Sequence, residues 1–222
     1  MATPIGNLDD LTPRAARLLG QVRVLVAEDT RLGTRLLPRG APRPRLMSLP
    51  AAREAARIPA VLEQLELGDV ALVSDAGTPA VSDPGSRLVD AVREAGFAVL
   101  ALPGPSAAVV AVSASGLRAD RFLFLGFLPR SPTRARRLLQ AGRDWALVFF
   151  ESPRRLAATL EVTAEVLGDR RLAVAREISK LHETWYRGGA AELAQRFRSE
   201  TVRGECTVVV EAPPRRRPAD RG

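Results

Sequence analysis

Residues 73–85 read VSDAGTPAVSDPG, and they connect a strand to a helix. The apolar run 69–73 predicts the buried strand, and the pattern of residues 84–95 predicts the helix, with Asp83 as its N-cap and Pro84 at its first position. The connection holds two Gly, two Pro and two Asp, which permit tight turns and close approach of backbone to a ligand. At the carboxyl end of an α/β strand this composition favours a small-molecule cradle over the alternative, an ordinary Gly/Pro-rich turn.

Two further loops have the same character. Residues 3–10 (TPIGNLDD) lead into a helix that we expect Thr12 to cap, and residues 102–108 (LPGPSAA) join a predicted strand at 97–102 to a predicted helix at 106–115. In an open sheet such loops meet at the carboxyl edge of the strands. None of them is a GxGxxG fingerprint or a P-loop, so a nucleotide-like ligand without a pyrophosphate fits them better.

The order of elements predicts an α/β protein of two domains. Residues 1–116 alternate strand and helix, which predicts a mostly parallel sheet with helices on both faces. Residues 117–212 read as an α+β domain with more antiparallel pairing, and residues 213–222 as a disordered basic tail. The predicted strands are 22–27, 69–73, 97–102, 122–125, 145–150, 171–175, 184–187 and 205–211.

Composition excludes several classes of protein. Hydrophobic residues make up 46 % of the chain and charged residues 26 %, which is ordinary for a soluble globular protein. No apolar run approaches the roughly 18 residues of a membrane span, and no signal peptide is visible. Cys206 is the only cysteine, so an intrachain disulfide or a cysteine-based metal cluster is impossible. We therefore expect a cytoplasmic protein without a metal or a membrane.

The net charge of +8 has two explanations. A basic protein is attracted to RNA, but all basic residues except one are Arg, a bias that GC-rich coding produces without functional meaning. The placement of the arginines helps to separate the two explanations, because two clusters stand out as candidates for phosphate contact, with a solvated face as the alternative. The first cluster is Arg39, Arg43 and Arg45 in a Pro-rich loop, and the second is Arg130, Arg134, Arg136 and Arg137.

Seven short motifs run in order from residue 3 to residue 180. They are TPIGN (3–7), AEDTR (27–31), SDAGTP (74–79), LPGPSA (102–107), GFLP (126–129), ESP (151–153) and REISK (176–180). This ordered set resembles the tetrapyrrole-methylase family of S-adenosylmethionine-dependent methyltransferases. Within that family it is most similar to the branch that 2′-O-methylates a cytidine of small-subunit (16S) ribosomal RNA.

The resemblance implies a tetrapyrrole-methylase-like fold with S-adenosylmethionine in the cleft between the two domains. It implies a homodimer whose substrate is small-subunit ribosomal RNA or the assembled small subunit. The cofactor residues it implies are Pro4, Asp75, Gly77, Thr78, Ser106, Ala107 and Glu151. The RNA-contacting residues expected with them are Arg31, Arg130, Arg134, Arg136 and Arg137.

One local cluster suggests where the chemistry takes place. The only Lys (Lys180), the only His (His182) and the only Tyr (Tyr186) fall within seven residues. Methylation of a ribose 2′-hydroxyl needs a group that accepts its proton, and a lysine pKa can shift when the side chain is buried. Lys180, His182 or Glu183 could accept this proton, and Glu28, near a strand end, is a further candidate for the catalytic centre. The alternative is a surface strand with mixed side chains.

The sequence departs from the family pattern in four places. Only Met1 and Ala2 precede the first loop, so either the start was assigned too late or a strand is lost, which would anchor Pro4 poorly. Segment 48–54 lacks the usual His and Asn, Arg154 stands where His is usual, and a C-terminal helical region is missing. Two other functions therefore remain open: a methylase of a tetrapyrrole precursor, and a catalytically weak RNA-binding relic of the fold.

Overall fold

A computed structural model describes residues 1–37, 40–200 and 202–214. It is an α/β structure that divides into two compact units, Met1–Ser106 and Ala107–Gly222. The sequence predicts the domain boundary at residue 116; helix α5 (Ala107–Ser115) instead falls in the second unit, because it packs on strands of that unit. Most of the predicted tail, residues 215–222, lies outside the described residues. Among the described residues, no helix is both long and apolar enough to cross a membrane.

The first unit contains a three-stranded parallel sheet in the order β2-β1-β3. Its elements are α1 (Pro13–Leu19), β1 (Val24–Ala27), α2 (Thr30–Arg35), β2 (Arg45–Ser48), α3 (Glu54–Leu65), β3 (Val70–Leu72) and α4 (Ser86–Glu94). The central strand β1 is buried throughout. Val24 and Val26 pack with residues of α3 and α4, whereas Leu25 packs with Leu19 of α1. Alternate side chains of β1 are therefore buried on opposite faces of the sheet, and the predicted parallel sheet with helices on both sides is confirmed.

The second unit contains a five-stranded mixed sheet in the order β4-β5-β8-β6-β7. Its further elements are β4 (Phe122–Phe127), α6 (Pro132–Ala141), β5 (Ala146–Glu151), α7 (Pro153–Leu167), β6 (Arg171–Arg176), β7 (Thr184–Gly189), α8 (Ala190–Ser199) and β8 (Cys206–Val210). Only β4 and β5 pair in parallel among these described strands, so the predicted α+β character is confirmed. The core joins Phe149 and Val208 of the sheet to Leu160 of α7 and Leu193 of α8.

Two predictions of strand and loop were wrong. Residues 97–102 form no strand, although Phe97 and Val99 pack on the apolar cluster of the first unit. The alternation of apolar side chains in this segment specifies which face is buried, but a strand also needs a neighbouring strand to pair with. Within this described segment only Leu102 accepts a backbone hydrogen bond, from the amide of Ala2. Conversely, β2 begins at Arg45, inside the segment predicted as a Pro-rich loop.

Candidate active site

The three Gly/Pro loops of the first unit lie side by side. The amide of Ala2 donates to the carbonyl of Leu102 at 3.1 Å. Thr3 and Gly77 exchange two backbone hydrogen bonds, of 2.8 and 3.1 Å. The expectation that Pro4 would be poorly anchored was therefore wrong: Pro4 is buried, because the backbone on its N-terminal side pairs with both other loops.

Two glycines allow this close approach. Gly77 has φ +78°, and a Cβ there would lie 3.4 Å from Ile5 and 3.7 Å from the carbonyl of Pro105. A Cβ on Gly104 would lie 2.8 Å from the Cβ of Ala2, which is too close. The sequence predicted that these loops converge, and the structure confirms it for the loops at 2–6, 74–78 and 102–105. Ser106 ends this unit and Ala107 begins α5.

Carboxylates gather where the parallel strands end. Glu28 and Asp29 follow β1, and Asp75 lies three residues beyond β3, where its Oδ1 accepts the amide of Asp29 at 3.1 Å. Burial raises the pKa of Asp83 to about 6, and the negative charges of Glu28 and Asp75 add to this effect. Four acidic residues thus share the edge of the sheet where an α/β protein binds its ligand.

The predicted helix cap at Asp83 was wrong. Helix α4 begins at Ser86, and its N-cap is Gly85, with φ +133° and no side chain to accept a hydrogen bond. The carboxylate of Glu54, only 7 % exposed, supplies the missing acceptor: its Oε1 receives the amides of Gly85 at 3.0 Å and Leu88 at 3.1 Å. Sequence reasoning missed Glu54, because this cap lies 31 residues before the amide that it binds.

The loop that precedes α4 is strained. Ala80 and Ser82 both have φ +66°, a left-handed conformation that side chains rarely adopt. Such a conformation persists only where the surroundings hold it. Glu54 holds the C-terminal end of this loop and the Thr3–Gly77 pair holds its N-terminal end. Asp83 is therefore presented from a loop fixed at both ends.

Lys180 lies in the second unit and pairs with two carboxylates. Its Nζ donates to Glu177 and to Glu205, each at 2.9 Å. Burial lowers the pKa of Lys180, but the two carboxylates outweigh burial and the net effect raises it. A lysine held in its charged form cannot accept a proton at neutral pH, so this geometry favours a fixed cation over the expected general base.

The Lys180 loop is itself held in an unusual conformation. Glu177 and Ser179 have φ +54° and +65°. The carboxylate of Glu177 also accepts the amide of Glu205 at 2.8 Å, and a Cβ on Gly204 would collide with it. Glu205 was not among the residues predicted from the sequence, since it lies 25 residues beyond Lys180. The strain localises here because these contacts fix the loop.

The two candidate bases that are carboxylates, Glu183 and Glu28, differ in their partners. Glu183 uses both carboxylate oxygens, one on the amide of Ser179 at 2.7 Å and one on the indole of Trp185 at 2.7 Å. Glu28 is half-buried at the end of β1, and its carboxylate makes no hydrogen bond to any residue within 1–37, 40–200 and 202–214. Of these two carboxylates, that of Glu28 is therefore the one whose oxygens have no hydrogen-bond partner in the described chain.

Glu151 serves its own helix. Its carboxylate is 1 % exposed; it accepts the amide of Ser152 at 2.8 Å and the hydroxyl of Thr159 at 2.6 Å, and it pairs with Arg155 at 3.2 Å. These contacts satisfy both oxygens and place a negative charge at the start of α7, where the helix dipole favours one. The geometry favours a structural role for this side chain; the cofactor contact predicted from the sequence stays a prediction.

The arginines expected to bind RNA differ in their partners. Arg31 pairs with Asp29 at 2.6 Å, and this hydrogen bond lowers the pKa of Asp29 to about 2. Arg136 pairs with Glu165, also at 2.6 Å. Three others, by contrast, are exposed and pair with no residue of the described chain: Arg130, Arg134 and Arg137. Arg39 lies outside the described residues.

Cys206 is buried in β8 as predicted, and burial raises the pKa of its thiol to about 11. A thiol with so high a pKa is almost wholly protonated at neutral pH and is a poor nucleophile. In the described part of the chain, no three His, Cys, Asp or Glu side chains are grouped so that they could hold a metal ion.

Comparison with known proteins identifies the family. The family model of the tetrapyrrole (corrin/porphyrin) methylases matches residues 2–194. A Thermotoga maritima protein is 43 % identical over 213 residues, covering 95 % of this chain and 96 % of its own length. A Micromonospora olivasterospora protein is 46 % identical over 216 residues, covering 96 % of this chain and 69 % of its own length. Both relatives are named ribosomal RNA small subunit methyltransferase I.

Solved structures share the fold at lower identity. The methyltransferase CobJ superposes with a TM-score of 0.71 at 21 % identity, over 96 % of this chain and 92 % of CobJ. A uroporphyrin-III C-methyl transferase of Thermus thermophilus, complexed with S-adenyl homocysteine, superposes with a TM-score of 0.63 at 16 % identity, over 92 % of each chain. Since a family model and relatives above 40 % identity both cover most of its length, the chain belongs to the tetrapyrrole methylase family.

Proposed function

We propose that the protein is an S-adenosylmethionine-dependent methyltransferase that 2′-O-methylates the ribose of a cytidine in small-subunit ribosomal RNA. The observation that carries this proposal is the meeting of the three Gly/Pro loops beside a group of carboxylates. The name shared by relatives at 43 and 46 % identity supports the substrate class. The site we propose for the cofactor comprises Pro4, Asp75, Gly77, Thr78, Ser106 and Ala107.

The residues at the loops fit this cofactor by their chemistry. S-adenosylmethionine carries a positive sulfonium and a positive ammonium, and the edge of the sheet presents the carboxylates of Glu28, Asp75 and Asp83. Burial and the charges of Glu28 and Asp75 disfavour the ionised carboxylate of Asp83, and a neighbouring cation would stabilise it. The closely packed loop backbones, with Gly77 and Gly104 between them, leave main-chain groups to contact the polar parts of the ligand.

The chain's own residues then have distinct tasks in the transfer. When bound, S-adenosylmethionine supplies a methyl group activated by its positive sulfur. The protein aligns the 2′-hydroxyl with that methyl and removes the hydroxyl proton. We assign the proton to Glu28, which carries no hydrogen bond to a described residue and borders Asp83. We assign Lys180, fixed by Glu177 and Glu205, the task of a permanent positive charge toward the RNA.

Exposed arginines and an exposed edge strand suggest how the protein contacts RNA and a second copy of itself. We propose that Arg130, Arg134 and Arg137 contact phosphates, because they are exposed and unpaired within the described chain. We further propose a homodimer, whose interface includes β4: this strand ends its sheet, and Phe127 on it is 59 % exposed. Its substrate, a ribosomal subunit, would place the protein in the cytoplasm.

The test is methyl transfer from isotope-labelled S-adenosylmethionine to purified small subunits that lack the modification. We expect one labelled cytidine whose 3′-phosphodiester resists alkaline hydrolysis, as a 2′-O-methyl requires. Label recovered in a tetrapyrrole precursor supplied in a parallel reaction, with none in RNA, would overturn the proposal in favour of the other branch of the family. Cofactor binding without transfer to either substrate would support the catalytically weak relic.

A further inference from the structure

A cavity of about 460 Å³ lies at one end of the five-stranded sheet. The loops before β4 and β5 and the segment after β8 form its walls. Six of its lining residues matter for the argument: Arg118, Asp120, Arg121, Asp144, Trp145 and Pro213. The Lys180 loop is at the opposite end of the same sheet, since it follows the last residue of β6 whereas the cavity lies before the first residue of β5. A six-residue strand spans about 20 Å, so this cavity is remote from that loop.

Polar groups around the cavity are unused. The guanidinium of Arg121 and the carboxylate of Asp120 are exposed and make no hydrogen bond or ion pair to any described residue. Arg118 donates through Nη2 to the carbonyls of Ala212 and Pro213, at 2.8 and 2.7 Å. Its Nε is buried and has no partner among the described residues. A buried N–H without an acceptor is rare and points to a ligand or water that the fold expects.

An indole lies beside these groups. Trp145, the residue before β5, is 44 % exposed, although the first four residues of that strand are buried. The guanidinium of Arg170 donates a hydrogen bond to the carbonyl of Trp145. A half-exposed tryptophan next to arginine side chains is the arrangement on which single-stranded nucleic acids stack their bases.

The charges of the lining select among ligands. Arg118 and Arg121 are balanced by Asp120 and Asp144, so the cavity is not a simple anion site. Carboxylates accept hydrogen bonds from exocyclic amino groups of bases, and arginines donate to phosphates and carbonyl groups. An aromatic face with both donors and acceptors around it therefore matches a nucleotide better than it matches free phosphate.

We propose that this cavity binds one nucleotide of single-stranded ribosomal RNA, with the base stacked on Trp145, its amino group on Asp120 or Asp144, and a phosphate on Arg121. The inference rests on the proposed RNA substrate but concerns a second contact, remote from the Lys180 loop. Such a contact would determine which RNA segment is held while another nucleotide is methylated.

The two tryptophans of the chain permit a direct test. In a Trp185→Phe background Trp145 is the only indole, so its fluorescence reports on the cavity alone. We expect a twelve-nucleotide single-stranded RNA to quench that fluorescence, and Trp145→Ala to weaken RNA binding at least fivefold. Trp145→Phe keeps an aromatic face and should retain most of the affinity.

Arg121→Gln provides the electrostatic arm of the test. It should weaken binding and lower the log–log salt slope by about 0.7, the value for one phosphate contact on a single strand. Arg57→Gln, which removes an exposed charge from α3, is the matched control and should change neither. Thermal unfolding of each variant checks that it is folded.

The outcomes separate this inference from the proposed function. Quenching with weaker binding in both variants supports the nucleotide site, even if methyl transfer to small subunits is not found. Methyl transfer by the wild-type chain, with no quenching of Trp145 and with affinity unchanged in Trp145→Ala and Arg121→Gln, overturns the inference and leaves the proposed function standing.

Discussion

Asp83 gives the sharpest test of the proposed cofactor site. Its pKa is raised to about 6 by burial and by the charges of Glu28 and Asp75, so it changes charge within an accessible pH range. If S-adenosylmethionine binds through its positive charge, it binds the ionised form of Asp83. With a pKa of about 6, roughly nine-tenths of Asp83 is ionised at pH 7 and roughly one-tenth at pH 5. The affinity should therefore fall about tenfold from pH 7 to pH 5.

Isothermal calorimetry at pH 5, 6 and 7 measures this dependence. Asp83→Asn should bind S-adenosylmethionine more weakly at pH 7 and show no extra decrease below pH 6, because its side chain has no charge to neutralise. S-adenosylhomocysteine, which lacks the sulfonium charge, is the matched ligand control and should show a flatter profile. An equal pH dependence in wild type and Asp83→Asn, or equal profiles for the two ligands, would refute the reasoning.

The same substitution has a signature in stability. The folded-state pKa of Asp83 lies above its unfolded value of about 3.9, so the folded protein holds this proton more tightly. The contribution of Asp83 to stability is therefore complete below about pH 4 and is lost as the pH rises through about 6. Asp83→Asn should raise the melting temperature at pH 7 relative to wild type and leave it nearly unchanged at pH 4, which also separates a folding defect from a binding defect.

Three further predictions concern charge and capping. Because its ion pairs keep Lys180 charged, Lys180→Arg should retain methyl transfer and Lys180→Met should abolish it. If both variants are inactive at unchanged cofactor affinity, Lys180 acts as the general base instead. Glu54→Ala should destabilise the protein by about 1–3 kcal/mol in urea unfolding, because the amides of Gly85 and Leu88 lose their buried acceptor. Glu54→Gln keeps an acceptor and should cost less. Equal stability of the wild type and both variants would contradict this prediction. Arg134→Gln combined with Arg137→Gln should lower the log–log salt slope of RNA binding by roughly 0.7–0.9 for each arginine–phosphate pair that is removed, and an unchanged slope would assign both to a solvated face.

Local features of the chain follow from its sequence alone. Thr12 caps α1 with Pro13 at its first position, and the apolar runs predicted as strands at 22–27 and 69–73 form β1 and β3. Each of these depends on neighbours along the chain: a hydroxyl three residues from the amide that it accepts, or side chains that alternate between two faces. The motifs indicated the family for the same reason, because loops that approach a ligand tolerate few residue types.

Only the tertiary structure determines which residues from distant parts of the sequence come into contact. Glu54 replaced Asp83 as the cap of α4. Glu205 pairs with Lys180, and this pairing favours a fixed cation over the general base expected from the sequence. The segment 97–102 has the apolar pattern of a strand but no ladder partner among the described residues. Hydrogen bonds, ion pairs and burial act over a few ångströms in space and are independent of separation along the chain. A pattern in the sequence can therefore specify which face of an element is buried, while the charge state of a residue depends on partners that only folding brings to it.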